Sequence, residues 1–204
     1  LDLVLGQLWH GRDVLYENTA PRGIAITVNV TPENDPGTLA GFAASVTFAE
    51  NAAPQILDAD VRFTDADNNF DGGALSVSGL LAQDTVSVRD QGTGAGQIGL
   101  DGADVTYGGE IIGTLSGGAG ATLTVTFNAK ATSVAVDALI QNLTYDNTSD
   151  TPTASRNLGL NVSDASDSLA TFVNVAGASS PVSGLGITVH VTPESDAQIG
   201  TGLP

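Results

Sequence analysis

Apolar and polar residues alternate one by one along two separate stretches of the chain. In residues 24–30, Ile, Ile, Val and Val alternate with Ala, Thr and Asn, and residues 185–191 show the same alternation. Because the side chains of a strand point alternately to its two faces, this pattern predicts strands with one buried face. Shorter apolar runs predict further strands at residues 46–48, 61–63, 75–77, 86–88, 105–107, 111–115, 123–127, 143–145 and 158–162.

One segment departs from this alternation. Ser133 precedes a run without glycine or proline, in which Ala135, Leu139 and Leu143 follow one another at intervals of four residues. This spacing predicts a short helix over 133–141, capped by Ser133. Clusters of Gly, Asn and Asp separate the other runs, as is typical of the turns in a sandwich. The chain is therefore predicted to be an all-β sandwich with one short helix crossing one end.

A repeated segment divides the chain. Residues 24–36 read IAITVNVTPENDP and residues 185–197 read LGITVHVTPESDA, which are identical at eight of 13 positions. A period of about 160 residues is too long for a solenoid and indicates tandem globular domains. We therefore expect the last two strands of one repeat at 1–31, a linker at 32–38, a complete repeat at 39–192 and a linker to the next repeat at 193–204.

The charge balance narrows the choice of partners. The chain carries 23 acidic residues against six Lys and Arg, a net charge of −17. Such a surface repels nucleic acids and anionic membranes, and it attracts cations. No Cys is present, which excludes disulfides, thiolate metal sites and cysteine catalysis. No apolar run is long enough to span a membrane. Since Leu1 is not Met and no signal pattern follows it, we expect a processed product or a piece of a longer protein.

The densest group of candidate metal ligands lies in a loop after one predicted strand. Asp65, Asp67, Asn69 and Asp71 occupy alternate positions, so that their side chains can converge on one point. Ca²⁺ binds about six to eight oxygen atoms, which carboxylates and amide carbonyls supply. The loop is not an EF-hand, because Phe70 stands where that motif has its glycine. The alternative interpretation is a solvated acidic turn.

Strand direction predicts which acidic segments meet. The second strand of the repeat returns towards the linker through which the chain enters, so the turn after it lies beside that linker. The same holds for the turn before the last strand. We therefore expect three acidic segments at one end of the sandwich: the turn at 65–73, the turn with Asp164 and Asp167, and the linker residues Glu33, Asn34 and Asp35. Their repulsion would cost several kcal/mol unless a cation neutralised it.

Glu50 ends the first predicted strand and should therefore lie at the opposite end of the sandwich. There it would approach Glu194 and Asp196 of the next linker, so that each linker is flanked by acids from both neighbouring repeats. The alternative for Glu50 is an ordinary surface carboxylate.

A set of short motifs resembles a known family. Residues 46–54 and 61–67 resemble the opening of a cadherin repeat, and Pro-Glu-Asn-Asp-Pro at 32–36 is similar to the cadherin interdomain calcium linker. The segments 91–99 and 138–150 point more narrowly to the long cadherin-like repeats of large secreted bacterial adhesins, some of which also carry RTX tracts. The resemblance covers most of the chain.

This resemblance implies an antiparallel Greek-key sandwich of the cadherin or immunoglobulin type. The sandwich would belong to an extracellular bacterial rod, stiffened by calcium and used in adhesion or surface architecture. The resemblance assigns ligand roles to Glu50, Asp65 and Asp67, and to Asn34 and Asp35 of the linker. The implied partners are Ca²⁺, neighbouring repeats and a cell-surface or glycan ligand. The repeat departs from the ordinary cadherin pattern in its greater length and in lacking the Asp-Arg-Glu tripeptide.

Catalytic motifs are absent from the sequence. It has no Gly-x-Ser-x-Gly elbow, Walker loop or HExxH helix, so we expect no enzyme. His190 falls at a solvent-facing strand position, and His10 neighbours Trp9 in a connecting loop. Two other functions stay open. One is an accessory glycan-binding module of a secreted carbohydrate-active enzyme, with aromatics near Trp9 or Tyr107. The other is a filament subunit that self-assembles through donation of strands in residues 1–31.

Overall fold

The computed structural model describes residues 4–6, 14–16, 34–35, 37–42, 45–164 and 185–192. The chain divides into two compact units, residues 1–33 and 34–204. In the first unit, strand β1 (Val4–Gly6) pairs antiparallel with strand β2 (Val14–Tyr16), so that Val4 lies opposite Tyr16. The strand predicted at 24–30 lies outside the described residues.

In its described residues the second unit is built mainly of strands and has one helix, as the sequence predicted. A membrane-spanning helix is not found in the described part of the chain. The elements in chain order are β3 (Thr38–Ala40), β4 (Ser45–Ala49), β5 (Gln55–Ile56), β6 (Arg62–Thr64), β7 (Ala74–Ser78), β8 (Asp84–Val88), β9 (Ile98–Asp101), β10 (Asp104–Tyr107), β11 (Glu110–Ser116), β12 (Leu123–Phe127), α1 (Ser133–Ile140), β13 (Leu143–Asn147), β14 (Ser155–Ser163) and β15 (Leu185–Thr192).

The described strands of the second unit form three open sheets. The largest has the order β4-β15-β14-β7-β12-β11-β10-β9, the second has the order β5-β13-β8, and β3 pairs with β6. Described neighbours are antiparallel except for β4 and β15, which are parallel. Buried residues from all three sheets belong to one hydrophobic core. The architecture is consistent with the predicted all-β sandwich.

Aromatic contacts connect these sheets through the core. The ring of Phe48 on β4 meets the ring of Tyr145 on β13 edge to face, with centroids 5.2 Å apart. Phe70 lies 6.0 Å from Phe63 and 5.7 Å from Phe127. Along β14, burial alternates from residue to residue, which confirms the period-two interpretation of that segment.

Strand directions define two ends of the second unit. β14 ends next to Asp164, which is hydrogen-bonded to Asn34 of the linker. β15 is antiparallel to β14 and parallel to β4, so both β4 and β15 end on the opposite side, where the backbone N–H of Glu50 donates to the carbonyl of Thr192 at 3.0 Å. We call the end with Asn34 the linker end and the end with Glu50 the far end.

The sequence pattern missed the short strands β2, β3, β5 and β9. β9 begins at Ile98, near the end of the glycine-rich segment 91–99. Glycines 92 and 96 adopt positive φ, as expected in a turn, and they obscure the short apolar alternation that follows. β3 and β5 have only three and two residues, too few for a period to be recognised.

The helix cap differs by one position from the prediction. Thr132, rather than Ser133, has the extended backbone of an N-cap, and its hydroxyl accepts the N–H of Ala135 at 3.2 Å. Ser133 is already helical, which frees its side chain for a contact outside the helix. The helix ends at Ile140, with Gln141 as its C-cap.

Candidate metal centre

The acidic loop after β6 is folded around one of its own carboxylates. Asp65 Oδ1 accepts the backbone N–H groups of Asp67 and Asn68, each at 3.0 Å. Asn68 adopts a φ of 54°, a left-handed conformation that Asn tolerates better than most residues. This closure shapes a compact turn after β6.

The N-terminus of α1 supports this turn. Ser133 Oγ accepts the backbone N–H of Asp65 at 2.8 Å, and the backbone N–H of Ser133 donates to Asn68 Oδ1 at 2.7 Å. The start of a helix carries unpaired N–H groups and a partial positive charge, which stabilise nearby anionic groups. The helix therefore positions the acidic loop and offsets part of its negative charge.

Three distant segments meet at the linker end. The backbone N–H of Asp35 donates to Asp67 Oδ2 at 2.6 Å, and Asn69 Nδ2 donates to Asn34 Oδ1 at 2.5 Å. Asn34 Nδ2 in turn donates to Asp164 Oδ2 at 3.0 Å. The linker, the acidic loop and the end of β14 are thus in direct contact, which is the arrangement that strand direction predicts.

Two glycines allow the close approach of these segments. A Cβ atom at Gly73 would lie 2.2 Å from the carbonyl oxygen of Ser163 and 2.7 Å from Cα of Asp164. A Cβ atom at Gly37 would lie 2.8 Å from the ring of Phe63. Side chains at these positions would push the acidic loop away from β14 and the linker away from β6.

A surface cavity of about 260 Å³ opens beside the loop, lined by Asp35, Thr38, Thr64, Asp65 and Ala66. Every side-chain atom in its lining that could bind a metal is an oxygen, and the hydroxyl oxygens of Thr38 and Thr64 lie 2.7 Å apart. Oxygen-only surroundings suit hard cations such as Ca²⁺ and do not suit softer metals. The oxygen atoms that line this cavity therefore fit calcium as a ligand set.

The carboxylates are neighbours, but they do not form a closed ligand cage. No group of three or more His, Cys, Asp or Glu residues suited to hold a metal is found within the described ranges. Asp65 Oδ1 and Asp67 Oδ2 accept backbone N–H groups, and Asp164 Oδ2 accepts the amide of Asn34. A bound cation would have to replace some of these hydrogen bonds.

For the remaining predicted ligands within the described residues, no hydrogen bond to this site is described. Asp71 is exposed in the turn after Phe70 and makes no hydrogen bond to the linker in the described structure. Glu33 and Asp167 fall outside the described residues, as do Glu194 and Asp196, the expected neighbours of Glu50. Glu50 itself lies at the far end, as expected from its place at the end of the first strand of the large sheet. It is only 5% exposed, so the alternative of a surface carboxylate is wrong.

Sequence reasoning missed a buried polar cluster nearer the far end. Asp84 on β8 is 1% exposed, and its Oδ1 accepts from Arg156 Nε at 2.5 Å, Tyr145 Oη at 2.7 Å and Asn147 Nδ2 at 2.8 Å. Its Oδ2 accepts the backbone N–H of Leu81 at 2.7 Å. Since Arg156 lies on β14 and the others on β8, β13 or the loop before β8, the cluster joins the two larger sheets.

The cluster also shifts two pKa values. Burial raises the pKa of Asp84, but hydrogen bonds from Tyr145, the Leu81 N–H, Arg156 and Asn147 outweigh burial and hold the pKa below 3.8. Burial, followed by the hydrogen bond to Asp84, raises the pKa of the Tyr145 hydroxyl well above 10.0. Asp84 is therefore ionised and Tyr145 is neutral at physiological pH.

Tyr107, a candidate for glycan stacking, is half-buried and packs against the core, and its proposed companion Trp9 lies outside the described residues. His190 is exposed, as alternation along β15 predicts.

No protein-family model matches the chain, and no curated protein or solved structure does. What this chain does is therefore inferred from its own residues and contacts.

Proposed function

We propose that the second unit is a calcium-binding repeat of a large secreted or surface-exposed bacterial adhesin, with a Greek-key, cadherin-like sandwich. The observation that carries this proposal is the contact of Asn34 and Asp35 with Asp67, Asn69 and Asp164 at the linker end. These residues are far apart in sequence, and their carboxylates repel one another unless a cation lies between them. The net charge of −17 makes a cation the natural partner.

Bound Ca²⁺ would supply positive charge between carboxylates that otherwise repel. Asp65, Asp67 and Asp164 would contribute carboxylate oxygens, and Asn34 and Asn69 would contribute amide oxygens. Because Asn34 belongs to the linker and the others to the body of the unit, shared coordination would fix the linker on the sandwich. A flexible connection would become a fixed angle, and a string of repeats would become a rod.

Calcium should raise the thermal stability of the whole chain. At one hundred times its dissociation constant, it should add about 2.7 kcal/mol, which corresponds to about 5–10 °C in the unfolding midpoint of a domain this size. Circular dichroism melts in EDTA and in millimolar calcium measure this difference. Mg²⁺ is the matched control and should have a smaller effect, because it demands a tighter octahedral shell. Equal midpoints in EDTA and calcium would contradict the proposal.

A further inference from the structure

The two parallel strands β4 and β15 are neighbours in the large sheet, and both run from the linker end towards the far end. Five residue pairs join them, from Ser45–Thr188 to Ala49–Thr192. The chain reaches β4 from the linker end and leaves β15 at the far end. Tension applied through the two chain ends therefore pulls β4 towards the linker end and β15 in the opposite direction.

Under this tension the two strands must slide past each other along their axes. All hydrogen bonds of the ladder then carry the load together, because the bonds lie across the direction of pull. If the strands were instead peeled apart from one end, the bonds would break one after another at a lower force.

We infer that the β4–β15 pair is a shear clamp that gives the domain its resistance to stretching. The biological use of such a clamp rests on the proposed function, because only a domain within a tandem array is loaded through its ends. The clamp itself is a property of strand direction, and it does not require calcium.

The surroundings of the two strands indicate which one yields. β15 is held on its other side by β14 through six residue pairs, whereas β4 is the edge strand of the large sheet. The side chain of Phe48 is fully buried and meets Tyr145, so this ring anchors β4 to the core. Forced unfolding is governed by the rate of the first rupture, which is the release of β4 from β15 and the core.

Pulling direction tests the clamp in a folded protein. The chain has no cysteine, so Thr188→Cys provides a single attachment point next to Ser45. In atomic force microscopy at one pulling speed, the full chain held at its two ends should show a high-force rupture. The Thr188→Cys chain held at residue 188 and at its N-terminus should lose that high-force peak, because β4 is then peeled from β15. Equal rupture forces in the two geometries would overturn the proposal.

Proline variants test the ladder itself. Glu50 N–H donates to Thr192, and alternation along the strand places the N–H of Val46 on the same side and that of Thr47 on the opposite side. Val46→Pro removes a clamp hydrogen bond, whereas Thr47→Pro removes an N–H at the free edge. End-to-end rupture force should fall more in Val46→Pro than in Thr47→Pro or Val46→Ala. Equal losses would contradict the clamp, and if Val46→Pro does not fold, the pulling-direction experiment decides.

Repeating the two pulling directions in EDTA separates the clamp from the proposed function. The residues that pair β4 with β15 are not among the acidic residues at the linker end. The difference in rupture force between the two pulling directions should therefore persist without calcium. Direction dependence without any calcium effect on stability would contradict the calcium site alone. A calcium effect without direction dependence would contradict the clamp alone.

Discussion

Replacing Arg156 with methionine should lower the free energy of unfolding by about 3 kcal/mol. The substitution leaves the ionised Asp84 buried without its charged partner, a loss that typically costs about 3–5 kcal/mol. We expect the lower end of this range for two reasons. Tyr145, Asn147 and Leu81 still donate to Asp84, and Arg156 Nη2 is buried without a hydrogen-bond partner in the described structure. Urea unfolding at pH 7 measures the change.

Arg62→Met is the matched control for this substitution. Arg62 is exposed and donates to the carbonyl of its neighbour Val61, so its loss should change stability by less than about 0.5 kcal/mol.

The folded pKa of Asp84 lies below 3.8, so its stabilisation is present above pH 3.8 and is lost as the pH falls through the folded pKa. Without Arg156 the buried Asp84 should bind a proton at a higher pH than in wild type, so the gap between wild type and Arg156→Met should be largest at neutral pH and should narrow as the pH falls. A loss no larger than that of Arg62→Met would contradict the structural role of the cluster.

Asp67→Asn should abolish most of the stability gained from calcium. Asparagine keeps an oxygen that can accept the N–H of Asp35, so the calcium-free contact survives, but the negative charge is lost. The gain of about 2.7 kcal/mol at saturating calcium should therefore shrink, while the midpoint in EDTA stays equal or rises slightly as repulsion falls. Thermal melts of wild type and Asp67→Asn, each in EDTA and in calcium, measure the calcium gain and the midpoint in EDTA.

Asp101→Asn changes the same charge at an exposed position, the last residue of β9, and it should leave the calcium gain intact. If both variants lost the same part of the stability gained from calcium, calcium would be acting through the overall charge of the surface rather than through the linker end. If neither lost any, Asp67 would not be a ligand.

Strand order explains why the meeting of the acidic segments was predictable. Once residues 61–63 and 158–162 are recognised as strands that run towards the linker, the turns after them must lie beside Asn34 and Asp35. Buried residues alternate in each of these segments, which identifies them as strands. Counting the strands from the linker then gives their directions without a structure.

The buried cluster carried a signal that was not used. In β8, Asp84 shares the alternation phase of Val86 and Val88, and in β14, Arg156 shares the phase of Leu158. Two opposite charges on inward-facing positions indicate a buried pair, because an isolated buried charge is too costly. What the sequence could not supply is which strands face each other, and hence that Asp84 meets Arg156, Tyr145 and Asn147.

The ligand prediction for Asp71 rests on alternate spacing, which the loop does not keep. The loop does not stay extended after Asp65, because its carboxylate accepts two backbone N–H groups and Asn68 turns into the left-handed region. Period two therefore ends within the loop. Asp67 and Asn69 are hydrogen-bonded to the linker, whereas no such bond is described for Asp71. Such a local closure depends on hydrogen bonds to α1, which a period cannot reveal.

Isothermal titration of calcium into the whole chain, stripped of metal with EDTA and dialysed, most directly measures whether the linker end is a metal centre. The proposed function predicts saturable binding at one or more sites in wild type and in Asp101→Asn, and at least one site fewer in Asp67→Asn. Absence of saturable heat in wild type, or identical stoichiometry and affinity in wild type and Asp67→Asn, would contradict it.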